Sequence, residues 1–296
     1  MAFNKVMNKL IVGSIVAFLT LALAILYTVG TQLIRPTPSN IVKPETNLPL
    51  STVSFRGEGN IQLKGWFIKN PTSNVGVLLM HGNQSNRLSM LSRAKFLYQA
   101  GYSVMLFDLR AHGASEGEYK TFGYLEAKDA ELAISFFKRQ AKLKTVGIIG
   151  TSLGGAATVL SDMPLPVEAI VIESVYPAIE KAIMNRLTVR MGKWGAYFEP
   201  LLTYQLPLRL GVKSTDLQPV KKVVNIMKSV FVIGGEQDTR TTLKDTQWLY
   251  NNIRSPQKSL WIIPGVGHAN FHHLTKVMYE KRVLSFLNQY LPIQKK

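Results

Sequence analysis

One serine, one aspartate and one histidine stand in an order that supports nucleophilic chemistry. Gly150-Thr151-Ser152-Leu153-Gly154 matches G-x-S-x-G, and Gly155 follows. Glycine and serine are common, so the context decides. The motif lies directly after the apolar run 146–149 and directly before the small-residue run 156–160. A strand–turn–helix of this kind holds a serine in a tight, strained turn and pushes its hydroxyl out of a sheet edge. Flanking side chains would collide there, so glycine is needed. A serine hydroxyl is a poor nucleophile at neutral pH; it needs a base, and the base needs an orienting acid. In this arrangement both follow the serine, acid before base.

Of five histidines, His81 and His112 precede Ser152 and are excluded by that order. His268, in the loop Pro264-Gly265-Val266-Gly267-His268 after the last apolar run, is the expected general base. His272 and His273 fall in the first turn of the last helix, where they are expected to cap it or meet solvent. The expected acid is Asp238, after the strand at 230–234, with Glu236 turned to solvent and Glu173 as an alternative. Two backbone N–H groups must face the developing oxyanion. Leu153 supplies one, and Asn83 in His81-Gly82-Asn83-Gln84-Ser85 the other, with Gln84 as its alternative. His81 is expected to brace that loop. Asp108 and Arg110 are expected to hold the loop 107–117 by hydrogen bonds and an ion pair, outside the chemistry.

Elements that could position these groups follow from the pattern. Runs 51–56 and 61–69 read as a hairpin across Gly57-Glu58-Gly59-Asn60. Buried strands are expected at 75–80, 103–108, 145–150, 167–173, 229–234 and 258–264. Helices are expected at 88–100, 124–139, 153–160, 242–252 and 270–290, the second with Leu125, Leu132, Ala133, Phe136 and Phe137 on its apolar side. Strand–helix alternation implies a mostly parallel sheet covered on both faces. Residues 176–220 break the alternation. This basic, aromatic stretch reads as a small helical lid above the carboxyl edge of the sheet.

The chain of 296 residues carries 46% hydrophobic and 9% aromatic residues, which excludes a disordered polymer. It has no cysteine, so a disulfide scaffold, a thiolate metal site and a cysteine nucleophile are excluded. Between Lys9 and Arg35 there is no charge, and residues 10–29 would span ~30 Å as a helix, the thickness of a bilayer core. The expectation is an N-terminal anchor over 1–34 with the transmembrane helix at about 10–29. A proline-rich extended tether follows over 35–50, then the main domain over 51–296 with its lid at about 176–220. Ala22-Leu23-Ala24 resembles a signal cleavage site, but the apolar run continues past it. Lys5 and Lys9 favour an extracytoplasmic domain; secretion after cleavage is the alternative.

The His81-Gly82 loop, the D-x-R-x-H-G-x-S-x-G stretch from Asp108 to Gly117, G-x-S-x-G-G, the late aspartate and the G-x-G-H loop come in one characteristic order. From about residue 50 onward the chain resembles the α/β-hydrolase superfamily. It is similar to the branch of membrane-anchored serine hydrolases with protein depalmitoylase-like and serine aminopeptidase-like domains. Ala111 departs from the pattern, standing where that branch often has glycine. The resemblance implies an α/β-hydrolase fold with a mostly parallel eight-stranded sheet. It also implies a carboxylic ester, thioester or amide as substrate. The expected activity is a serine hydrolase working through an acyl-enzyme, without cofactor or metal. The expected partner is an acyl-containing small molecule, a lipid or an acylated protein. An acyltransferase and a catalytically silent scaffold are the alternatives. The formal charge of +17 comes with no nucleic-acid recognition motif. It reads as a surface facing anionic lipid. Oligomeric state is left open.

Overall fold

The computed structural model describes residues 2–293; Met1 and 294–296, the end of the expected domain, lie outside it, as do the side chains of residues 2–5, Lys5 among them. Eight strands form one sheet: β2 (Leu50–Arg56), β3 (Gln62–Ile68), β4 (Val75–Met80), β5 (Ser103–Phe107), β7 (Thr145–Thr151), β8 (Ala169–Glu173), β9 (Ser229–Gly235) and β10 (Lys258–Ile263). Their order is β10-β9-β8-β7-β4-β5-β3-β2. The β2–β3 hairpin and the β3–β5 pair are antiparallel, and every other pair is parallel. The strand order turns back at β4, between β5 and β7. Ligands bind such sheets in the crevice at the carboxyl ends near this point. Strands β4, β5, β8 and β9 are buried along their whole length, as central strands covered on both faces must be.

Helix α2 (Leu91–Gln99) and helix α11 (Lys276–Tyr290) cover one face through Ala94, Leu97, Tyr279, Val283 and Leu287. Helix α3 (Tyr124–Ala141), α4 (Leu153–Val159) and α9 (Leu243–Asn252) cover the other. The buried stripe of α3 is Ala127, Ala130, Ile134, Phe137 and Ala141, at three- and four-residue spacing. Leu132 faces solvent at 39% exposure, contrary to the sequence reading. The alanines carry the stripe because α3 packs closely on α4.

Two expected helices are broken. The first turn of 88–100 is a 3₁₀ turn, Arg87–Met90, and α2 starts at Leu91. The last helix is divided at Thr275 into α10 (Phe271–Leu274) and α11. His272 in α10 neither caps nor meets solvent: it is 2% exposed. It bridges Ser92 Oγ at 2.9 Å and Glu280 Oε1 at 2.9 Å, tying α10 to α2 and α11.

Helix α1 (Ala2–Ile34) has 33 residues and is ~50 Å long. Its stretch Val6–Ile34 is long and apolar enough to cross a membrane, with a mean hydropathy of 2.5 over its most apolar 18 residues. The chain after it lies along the domain. β1 (Thr37–Pro38) pairs with β6 (His112–Gly113) as a two-residue parallel bridge. Lys120 N–H donates to Ile34 O at 2.9 Å, and Asn86 Nδ2 donates to Ser39 Oγ at 3.1 Å. Residues 176–220 contain α5 (Ile179–Met191), a 3₁₀ stretch (Gly192–Phe198), α6 (Glu199–Thr203) and α7 (Gln205–Leu210).

Candidate active site

Ser152 sits between β7 and α4 with φ 51° and ψ −109°, a left-handed conformation that costs an L-residue energy. Its N–H donates to Glu173 O at 2.7 Å, and Gly154 N–H donates to His81 O at 3.1 Å. A Cβ on Gly154 would lie 2.4 Å from Met80 O, and one on Gly155 would lie 2.3 Å from Val175 Cγ2. The glycines are therefore demanded by the turn itself.

Asp238 follows β9 with its side chain fully buried. Oδ1 accepts from Arg240 N–H and Thr241 N–H, both at 2.8 Å, and Oδ2 accepts from His268 Nδ1 at 2.8 Å. Burial works against the carboxylate, but the His268 bond and the two backbone donors outweigh it and hold Asp238 below the usual carboxylate range. With Nδ1–H spent on Asp238, the other ring nitrogen of His268 is the basic one. Ser152 and His268 line one cavity together with Asn83 and Gly82. The loops carrying Asp238 and His268 press together: a Cβ on Gly235 would lie 2.3 Å from Val266 O. Glu236 is exposed, as expected, and its Oε2 accepts from Gly265 N–H at 2.9 Å, which pins the histidine loop.

Glu173, the alternative acid, is consumed elsewhere. It is fully buried and ion-paired to Arg93 at 2.7 Å, and it also takes the hydroxyls of Thr151 and Tyr279. Leu153 and Asn83 border the space above Ser152. The Asn83 N–H has no acceptor among the described residues. His81 braces its loop: Nδ1 donates to Gly82 O at 2.7 Å, and Nε2 accepts Leu109 N–H at 3.0 Å. His112 donates to Arg110 O at 2.8 Å. Asp108 and Arg110 do not pair with each other. Asp108 binds Arg87 at 2.9 Å, and Arg110 binds Asp129 at 2.7 Å. Ala111 carries φ +58°, so alanine takes the left-handed conformation a glycine would adopt with less strain.

Ser152 lies at the junction of two spaces. One is a mostly apolar space, with Leu33, Ile179, Ile183 and Leu206 among its walls. The other is the mouth shared with His268, bordered by Arg186, Arg190 and Arg240, and by Arg93, whose charge Glu173 neutralises. Arg186 borders both. Burial and then the Arg240 charge lower the pKa of Arg186, so the mouth is a crowded cationic surface. Sequence reading did not single out Arg93 or the end of α1 as parts of this site. An arginine on an amphipathic helix and an apolar run in an anchor both have simpler readings, and only the tertiary contacts bring them here.

A profile of the alpha/beta hydrolase family matches residues 77–277, and the chain belongs to that family. An esterase of Pyrococcus furiosus has a similar structure: TM-score 0.71, 25% identity, 87% of this chain and 98% of that one. The uncharacterized protein YqkD of Bacillus subtilis is 24% identical over 76% of this chain and 75% of its own length. An uncharacterized membrane protein of Saccharomyces cerevisiae is 28% identical over 60% of this chain and 65% of its own. Family and structural likeness together support a hydrolase.

Proposed function

We propose that the protein is a membrane-anchored serine hydrolase that cleaves a carboxylic ester or thioester of a hydrophobic acyl group. The observation that carries this reading is His268, half-buried and bonded through Nδ1 to the buried carboxylate of Asp238, lining the same cavity as Ser152 in its strained turn. Ser152 Oγ attacks the carbonyl carbon while His268 takes its proton. His268 then returns the proton to the leaving oxygen or sulfur as the C–O or C–S bond breaks. Water, deprotonated by His268, then attacks the acyl carbon; the bond to Ser152 Oγ breaks, and His268 returns the proton to Oγ. The N–H groups of Leu153 and Asn83 hold the oxyanion in both steps. The apolar cavity takes the acyl group. The arginine-lined mouth takes the departing part, and a leaving group with negative charge fits it best. The esterase likeness supports the ester. Retention of α1 as an anchor is supported by Leu23 and Ala24, which line a groove shared with the lid.

The test is labelling by a fluorophosphonate probe, with Ser152→Ala as comparison, then hydrolysis of p-nitrophenyl esters and thioesters of graded chain length. The reading expects labelling that vanishes in Ser152→Ala and turnover of at least one acyl class. A full-length protein that neither labels nor hydrolyses any of them overturns it.

A further inference from the structure

The apolar cavity above Ser152 is not enclosed by the α/β domain alone. Gly30, Leu33 and Ile34, from the last two turns of α1, form one wall, and α5 and α7 form the facing one. Helix α7 is bound to α1 by specific contacts. Arg209 donates to Tyr27 O at 2.7 Å and to Thr31 Oγ1 at 2.9 Å, and its guanidinium lies 4.3 Å from the centre of the Tyr27 ring. Gln205 Nε2 donates to Leu26 O at 3.3 Å. The helices approach so closely at Gly30 that a Cβ there would lie 2.2 Å from Gln205 Oε1.

A second space continues outward along this seam, between Leu23, Leu26 and Tyr27 of α1 and Leu201 and Leu208 of the lid. It shares Ile34, Gln205 and Arg209 with the cavity. From Leu23 to Ile34 the seam runs ~16 Å along α1. Its outer end lies within the stretch apolar enough to cross a bilayer. Around it the lid exposes Trp194, Tyr197, Leu201, Tyr204 and Leu208, each at least 45% accessible. Aromatic and aliphatic side chains of this kind settle at a membrane–water interface.

We propose that the end of α1 is part of the substrate site: it walls the acyl cavity, and a long acyl chain slides from the bilayer along the α1–α7 seam to reach Ser152. The proposal rests on the hydrolase reading above and adds its substrate class, an acyl ester resident in the membrane. The helix is then both anchor and specificity element.

Leu33 is the residue to vary, because it projects into the cavity from the membrane helix. In full-length protein in phosphatidylcholine vesicles, kcat/KM is measured for butanoyl and hexadecanoyl p-nitrophenyl esters. Leu33→Trp narrows the cavity and should lower the hexadecanoyl-to-butanoyl ratio at least tenfold. Leu33→Ala widens it and should shift the preferred chain the other way, keeping the test valid if the tryptophan variant does not fold. Palmitoyl phosphatidylcholine carrying a photoreactive group at the chain end should cross-link Ile183 or Leu206 in Ser152→Ala protein. Ratios within twofold of wild type in both folded variants, or cross-links confined to the exposed part of α1, overturn the proposal while fluorophosphonate labelling still upholds the hydrolase. Absence of labelling in the wild type removes both.

Discussion

Ser152 is held at φ 51° in a turn whose N–H is bonded to Glu173 O, and it lines the cavity. Ser152→Ala should abolish fluorophosphonate labelling. Asp238→Asn should keep the fold but leave His268 in the wrong tautomer, with kcat down about 10³–10⁴-fold; steady-state kinetics and a melting curve check both halves. The mouth gives a separate expectation. Arg190→Gln with Arg240→Gln should lower the preference for an anionic over a neutral leaving group about three- to tenfold at equal acyl chain. Added salt should erode the wild-type preference in the same direction. The Asp238–His268 pairing and the Ser152 turn of the candidate site were legible in the sequence, because chain order and glycine punctuation restrict the choice to few residues. Arg93 was not, because nothing local separates an arginine over a cavity from one in water.

At the scale of the elements, the strand–turn–helix depends on backbone passing backbone. Gly154→Ala places a methyl group 2.4 Å from Met80 O, where no flexible side chain can yield. It should cost roughly 1–3 kcal/mol and also lose labelling, read by thermal melting beside probe uptake. The Arg93–Glu173 pair fastens α2 to the end of β8, with both side chains at most 2% exposed. Arg93→Met leaves a buried carboxylate without its partner and should cost about 3–5 kcal/mol. Adding Glu173→Gln should recover part of that loss in denaturant melts. Alternation of apolar runs made all eight strands legible. It misled on α3, where leucine outweighs alanine in any hydropathy pattern although the alanines make the contact. The interruption at Thr275 was equally hidden, since His272 draws its partners from α2 and α11.

Over the whole molecule, two buried histidines give stability a pH dependence of defined sign. Burial, aided by each ring's charged neighbours, lowers His81 to about 3 and His112 to about 4. Both bond in the folded protein as neutral rings. The unfolded chain binds a proton on each below pH 6.5, while the folded protein excludes them down to those values. Stability therefore falls as pH drops below 6.5, by about 1.4 kcal/mol per pH unit for each ring. Melting in detergent at pH 7.5 and pH 5 should show the fall, and His112→Gln should reduce it. A Tm unchanged between the two would contradict the neutral pair. The apolar length of α1 was plain in the sequence. Its seam with the lid was not, since it joins residues nearly 180 positions apart.

The β1–β6 bridge and the Lys120–Ile34 bond leave little slack between α1 and the domain. With α1 in a bilayer, the site is mounted at a fixed height and tilt. Such an enzyme searches a plane instead of a volume. Its rate follows the mole fraction of substrate among the surrounding lipids, so inert lipid added at constant bulk substrate should slow it by dilution alone.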